Sequence, residues 1–355
     1  MYEQTRVMFL YSVSPLHMGA GTAIGVIDNP IQREVHTTHP VIAGSGIKGA
    51  LRHRWRAEGV PDPLIFGVFG PEGDDPDHRA GAVSTGDGQL VLFPVRSLER
   101  SFMYVTSPLA LSRLNRLLAL AEADAKWQIP SVDGDSCVRA GGAIQGRDEI
   151  VLETYLFKHN SAQEKNVASI ANWLAEHAMP GGAENAPFRT KLGDDLVVLS
   201  DERFGYFARA GTVVEPHVRI DDATGTADDG GLFYTENAPP ECLFASLLMA
   251  TAERPTKSTK RQSGERELVE GQSGNGRKPL NAKEVVSLLL LGSSEHHEPD
   301  RKRPSPLHDN LLQIGGDATT GRGLTLAHFH PAPPPPPEPG RKLDQKAAGD
   351  GGDHV

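Results

Sequence analysis

Two cysteines in 355 residues, Cys137 and Cys242, exclude a disulfide-stapled scaffold, and their spacing matches no metal site. Such a chain suits a reduced cytoplasm. The first residues lack a basic stretch leading into an apolar run, so no signal peptide is expected. No apolar run approaches the ~20 residues that span a bilayer, and no membrane contact is expected. A basic excess is also missing. The net charge is −10, which by itself argues against a general nucleic-acid binder.

What is present is an ordinary hydrophobic share, 38%, with 38 glycines and 27 prolines, so loops take up much of the length. The charge is uneven. Between Asp28 and Arg56 five basic residues (Arg33, Lys48, Arg52, Arg54, Arg56) face two acidic ones (Asp28, Glu34). Acidic residues collect instead at 72–77 and 221–229. A local basic surface on an acidic protein is compatible with RNA binding that depends on partners.

Periodicity places a strand at 6–13 and a helix at 47–56. In that helix Ile47, Leu51 and Trp55 form a core stripe beside Lys48, Arg52 and Arg56, with Ser45 or Gly46 as N-cap. A helix start flanked by Gly44 and Gly46, with Lys48 in its first turn, is suited to phosphate. Residues 67–88 read as an exposed loop. Short strands follow at 90–95 and 103–106, then a helix over 108–126. Loop is expected at 129–147, a single strand at 151–157, a helix over 162–177 and a strand at 196–199. From 201 to 244 short β-prone runs alternate with Gly, Asp and Pro, including two strands around a turn at 221–225. A strand at 243–250, a polar loop at 254–279, a helix at 281–291 and a loop at 296–306 lead to a glycine-rich turn, 314–323, and a last strand, 324–329. The proline-rich end, 331–355, reads as extended or disordered.

Five pieces carry a resemblance: PLHMGAG at 15–21, IDNPIQRE at 27–34, GSGIKGALR at 44–52, VRIDDATGTADDGGLFY at 218–234 and IGGDATTGRG at 314–323. In this order they resemble the RAMP superfamily of CRISPR proteins, most closely the backbone subunit of the Cmr-type (type III-B) RNA-guided complex. The resemblance implies an α+β fold, a modified ferredoxin-like (RRM-like) palm with a β-hairpin thumb and loop insertions. The palm would take 1–200 and 245–330, and the thumb region 201–244. It implies copies stacked head to tail along guide CRISPR RNA with other Cmr subunits, each copy cutting complementary target RNA by 2′-OH attack. A divalent cation, Mg²⁺ or Mn²⁺, would be required. The Csm-type counterpart shares IDNP and the lysine-bearing glycine loop, and a catalytically silent guide-binding subunit stays open as an alternative.

Asp28-Asn29-Pro30 reads on its own as a turn, where Asp and Asn bond locally. The resemblance adds a second reading: Asp28 as the residue required for cleavage, holding the cation or taking the 2′-OH proton. His17 is a candidate acid or base. No carboxylate cluster accompanies Asp28 in the sequence, which points away from a two-metal nuclease. The thumb would bring Tyr234 and Glu236 near the scissile phosphate, although Thr235 and Asn237 stand where the pattern expects Glu and Tyr. Gly44, Ser45, Gly46, Lys48 and Arg52 form one expected RNA contact, and Gly315, Gly316, Thr320, Gly321 and Arg322 the other. Backbone amides and hydroxyls hold phosphates without reading bases. GAGTAIG after a strand fits a dinucleotide fingerprint poorly, because Asp-Asn-Pro stands where a helix should begin. A guide-processing endonuclease acting alone is a further alternative.

Overall fold

The run from Gln4 to Ser12 forms strand β1, and the sheet of the computed structural model extends from it on both sides. The structure describes residues 2–332 except 24, 74–78, 124, 126, 142, 143, 145, 255–257, 260–267, 270–277 and 293–303. Val7, Phe9 and Tyr11 face one core while Met8 and Leu10 face the other. Burial on both faces explains why β1 is continuously apolar rather than alternating.

In chain order there follow β2 (Val41–Ile42), α1 (Gly44–Ala57), α2 (Asp62–Phe69), β3 (Val83–Thr85), β4 (Gly88–Ser97), β5 (Ser101–Thr106) and α3 (Pro108–Leu120). Next are β6 (Ser136–Arg139), β7 (Glu149–Leu152), β8 (Tyr155–His159), α4 (Glu164–His177), α5 (Ala186–Asp195), β9 (Leu196–Leu199) and α6 (Asp201–Ala210). The remainder is β10 (Val213–Ile220), β11 (Ala227–Asn237), β12 (Leu243–Ala250), β13 (Ser258–Thr259), β14 (Leu268–Val269), α7 (Ala282–Leu291), β15 (Asn310–Gln313) and β16 (Leu324–His330). The large sheet runs β15-β16-β1-β12-β4-β5-β9-β6-β8-β7, with β2 on β4 and β3 on β12. Helices α1, α2, α6 and α7 cover one face, and α3 and α4 the other. The fold is mixed α+β.

Helix α1 buries Ile47, Leu51 and Trp55 completely, as its spacing predicts. Its cap differs from expectation. The N-cap is Ala43, and Ser45 and Gly46 lie inside the first turn. Tertiary bonds move the start: Gly44 N–H donates to Asp87 Oδ1 at 2.7 Å, and Thr85 Oγ1 donates to Gly44 O at 2.7 Å. A Cβ on Gly44 would lie 2.5 Å from Thr85 O, so only glycine allows this approach.

Several loop expectations are corrected. The stretch 67–88 begins inside α2, whose Leu64, Ile65, Val68 and Phe69 are buried. Loop 129–147 contains β6, and 151–157 is a hairpin, not one strand, turning at Glu153 (φ 53°) and Thr154. The first ten residues of 201–244 are helical. Ser200 caps α6 by accepting from Arg203 N–H at 3.4 Å, and Phe204, Phe207 and Ala208 make its buried stripe. Only then comes the antiparallel β10–β11 ribbon, which forms a sheet of its own. The helix over 108–126 stops at Leu120, and α5 was not anticipated. Most of 254–279, 296–303 and 333–355 lie outside the described residues, although β13 and β14 pair with each other. Among the described residues no helix is long and apolar enough to cross a membrane.

Candidate nucleic-acid interface and reaction centre

Residues 13–19 leave β1 and run between the glycine-rich turn and the base of the ribbon. Gly316 N–H donates to His17 O at 2.9 Å, and Gly323 N–H to Pro15 O at 2.9 Å. Gly315 adopts φ 81°, and a Cβ there would meet His17 O at 2.1 Å. Glycine is required at that position. On the other side, Leu16 and Ala238 exchange backbone hydrogen bonds just beyond β11.

The His17 side chain is buried at 8% exposure. Its Nδ1 lies 2.8 Å from the Glu236 carbonyl, which can only accept, so Nδ1 carries a proton and donates there. Nε2 faces Gly19, where a Cβ would come within 3.1 Å. The His17 ring thus sits between Gly19, Gly316 of the glycine-rich turn and the base of the ribbon at Glu236.

Asp28 is exposed, as expected for its loop. Its Oδ2 accepts from Tyr234 N–H at 2.7 Å. Asn29 N–H donates to Tyr234 O at 3.0 Å and Glu236 N–H to Asn29 O at 2.9 Å. These bonds make a short parallel bridge between loop 27–31 and β11, so the loop is tied to the ribbon rather than hanging free. Among the described residues Asp28 is in no group of three or more His, Cys, Asp or Glu side chains placed to hold a metal ion.

Glu236 has a structural place that the sequence did not disclose. It is 4% exposed. Its Oε1 pairs with Arg33 Nη2 at 2.5 Å and accepts from Thr212 Oγ1 at 2.7 Å, while Oε2 accepts from Ile31 N–H at 3.0 Å. A buried carboxylate that holds a cation, a hydroxyl and a backbone N–H anchors the segments that carry those groups. Arg33 also donates to the carbonyls of Thr38 and Ala208. The next motif residue, Glu34, receives Arg113 through both guanidinium nitrogens. Burial alone would raise the Glu34 carboxyl, but hydrogen bonds from Arg113 and Thr37 with the Arg113 charge outweigh it and hold it below the usual range. The Arg-Glu end of IDNPIQRE therefore braces the loop that carries Asp28. An unusual pair of adjacent opposite charges after Asn-Pro was the available signal; their partners, 203 and 79 residues away, were not.

The expected phosphate groups are only partly available. Ser45 and Gly46 are exposed at the start of α1, but Gly44 N–H is taken by Asp87. Lys48 is half-buried, and burial with the nearby Arg52 charge lowers its pKa. It lines a pocket of about 360 Å³ with Pro71, Gly73, Arg79 and Ser84. Arg52 has contacts within the chain. It lies 5.8 Å over the Phe66 ring and reaches Pro71 O at 3.5 Å. Arg322 is engaged too, in an ion pair with Glu215 of β10. Gly315, Gly316, Thr320 and Gly321 remain exposed. Tyr234 contributes its backbone to Asp28 and Asn29, while its ring lies on an exposed ribbon face with Val218 and Leu232.

Comparison with known proteins gives the family. The RAMP superfamily model matches residues 9–325. The CRISPR system Cmr endoribonuclease Cmr4 of Pyrococcus furiosus is 36% identical over 244 residues, covering 68% of this chain and 80% of its own. A crystal structure of oligomeric Cmr4 from Pyrococcus furiosus superposes with a TM-score of 0.61 at 25% identity, covering 92% of this chain and 97% of that one. A cryo-EM structure of type III-B Cmr-beta bound to cognate target RNA shares the fold, with a TM-score of 0.63 at 17% identity over 92% of this chain and 98% of that one. The chain belongs to the RAMP superfamily, in its Cmr (type III-B) branch.

Proposed function

We propose that the protein is a backbone subunit of a Cmr-type RNA-guided complex, stacking head to tail on guide CRISPR RNA beside other Cmr subunits and cutting complementary target RNA once per copy. One observation carries this reading: an exposed carboxylate, Asp28, is tied to the base of a projecting ribbon beside the motif segments that hold His17 and the glycine-rich turn. The strand order β16-β1-β12-β4, antiparallel throughout with α1 and α7 as crossovers, supports reading the centre as a ferredoxin-like palm. The ribbon is then the thumb.

In the reaction we assign, a target ribose 2′-OH attacks the adjacent phosphorus while the bond to the 5′ oxygen breaks. A 2′,3′-cyclic phosphate and a 5′-hydroxyl result. The 2′-OH proton goes to Asp28, or to solvent water where Asp28 would instead hold a divalent cation, and the departing 5′ oxygen takes a proton from water. One carboxylate with phosphate and water oxygens is a normal Mg²⁺ environment, and the bound cation would offset charge on the phosphate oxygens. The His17 ring acts by position, tying residues 15–19 to the base of the ribbon through the Glu236 carbonyl. With so few groups in play, most of the rate comes from alignment of the strand.

The test is the assembled complex with labelled complementary target. Evenly spaced cuts that vanish with EDTA and with Asp28→Ala, while guide binding persists, are expected. A mutant complex that assembles and cuts at the same sites would reduce Asp28 to a turn residue. Wild type that assembles and never cuts would leave a silent guide-binding subunit.

A further inference from the structure

Away from the proposed reaction centre, the turn entering β15 meets β16 through three metal-ligating side chains. Asp309 Oδ1 lies 2.6 Å from His328 Nδ1, and Asp309 Oδ2 lies 3.6 Å from His308 Nε2. The imidazole centroids are 4.6 Å apart. One ligand atom from each residue falls within 4.8 Å of the others. We propose that His308, Asp309 and His328 form a binding site for a divalent transition ion of the Zn²⁺ class.

The donor set is two imidazoles and one carboxylate, which suits Zn²⁺, Co²⁺ or Ni²⁺ and is a poor match for Mg²⁺ or Ca²⁺. With Zn²⁺ bonds of 2.0–2.1 Å, ligand atoms in a tetrahedral site stand about 3.4 Å apart. Closing from within 4.8 Å to that spacing calls for movement of the ligating side chains. The frame is otherwise built. Asp309 N–H donates to Ala327 O at 2.8 Å and its φ is 55°, a left-handed conformation that Asp tolerates, which aims the carboxylate between the two rings. Gly181, in the link between α4 and α5, backs the carboxylate so closely that a Cβ would lie 2.6 Å from Oδ2. His328 is buried at 8% exposure while Asp309 is exposed, so the site has both a fixed wall and an entrance.

Two adjustments accompany binding. His328, ligating through Nδ1, carries its proton on Nε2 instead. His308 turns its ring, because Nδ1 now accepts the Phe329 N–H at 3.1 Å. Three protein ligands leave a fourth position for water. The bound ion would clip the 304–309 segment to the last strand and the α4–α5 link.

The experiment uses the untagged full chain, stripped with EDTA, then titrated with Zn²⁺ and with Co²⁺. Expected are one equivalent of ion per chain, visible Co²⁺ d–d bands and a higher melting temperature with Zn²⁺. Losing a direct ligand in Asp309→Asn or His328→Gln should cost at least the roughly 10–100-fold in affinity that outer-sphere changes cost. His308→Gln, at a half-buried position, serves where a buried substitution unfolds the apo protein. Asp28→Ala should keep the ion, which separates this site from the proposed reaction centre. Absence of a stoichiometric ion on wild type, or unchanged affinity in folded His308→Gln, overturns the proposal.

Discussion

The Asp28 carboxylate accepts the backbone N–H of Tyr234 at 2.7 Å, across 206 residues of chain. The residue expected to do chemistry is therefore positioned by the ribbon. The bond is long-range and not a local turn contact: Oδ2 is a structural acceptor on an exposed side chain.

Asp28→Asn and Asp28→Ala should separate this structural bond from the proposed chemistry. Asparagine retains an acceptor for Tyr234 N–H, so thermal stability should stay within about 0.5 kcal/mol of wild type. Alanine removes the bond and should cost about 1 kcal/mol. Both should abolish target cleavage. Cleavage surviving in Asp28→Asn at the wild-type rate would mean that only the hydrogen bond matters.

Arg33→Ala leaves the Glu236 carboxylate buried beside Thr212 and Ile31 without its cation. Breaking such a pair costs roughly 3 kcal/mol. Glu236→Gln should be milder, since the amide keeps an oxygen for Ile31 N–H. Chemical denaturation of the two variants checks the order. Equal and small losses would show that the pair is solvated.

Lys48→Ala should weaken guide RNA binding for all sequences alike and lower the salt slope by about one. Arg52→Ala should act differently, because that guanidinium packs on Phe66 and bonds Pro71 O. Its main effect should be on melting temperature. Binding measured against salt concentration decides between them, and a full unit of slope lost with Arg52→Ala would place Arg52 on phosphate.

Acid should destabilise the protein in two stages. Burial, with the nearby His177, His328 and Arg6 charges, pushes the His330 imidazole down to about 4. A histidine lowered in this way contributes stability above its unfolded value of 6.5 that is lost as pH falls from there toward 4. Glu34 is lowered from 4.5, so its contribution, present above 4.5, is lost on further acidification through the folded value. Melting curves between pH 7 and pH 3 should slope accordingly, and His330→Asn should flatten the upper stage. A curve without slope between pH 6.5 and pH 4 would contradict the His330 assignment.

Local pattern was enough for β1, α1, α3, α4, β12 and β16, because each buries a long periodic or continuous apolar stripe that shows in neighbouring residues. The motif order also brought out Asp28, His17 and the glycine-rich turn. The missed elements are short or interrupted: α2 carries Gly67, and α6 carries Gly205 between its buried phenylalanines. Ser200 with Asp201 and Glu202 did spell a helix start, and the β-prone residues after it masked the signal.

Partner choice was out of reach. Lys48, Arg52 and Arg322 look alike in a sequence as free cations near glycine. In the fold one lines a pocket, one packs on a ring, and one pairs with Glu215. Glu236 reads as a thumb residue that either lies near the scissile phosphate or only shapes the hairpin, and the sequence does not show that Arg33, Thr212 and Ile31 enclose it. Secondary structure depends on residues a few positions apart, whose spacing is written in the chain. Whether a charge is free, paired or buried depends on groups tens to hundreds of positions away, and only the folded sheet with its ribbon brings them within hydrogen-bond distance.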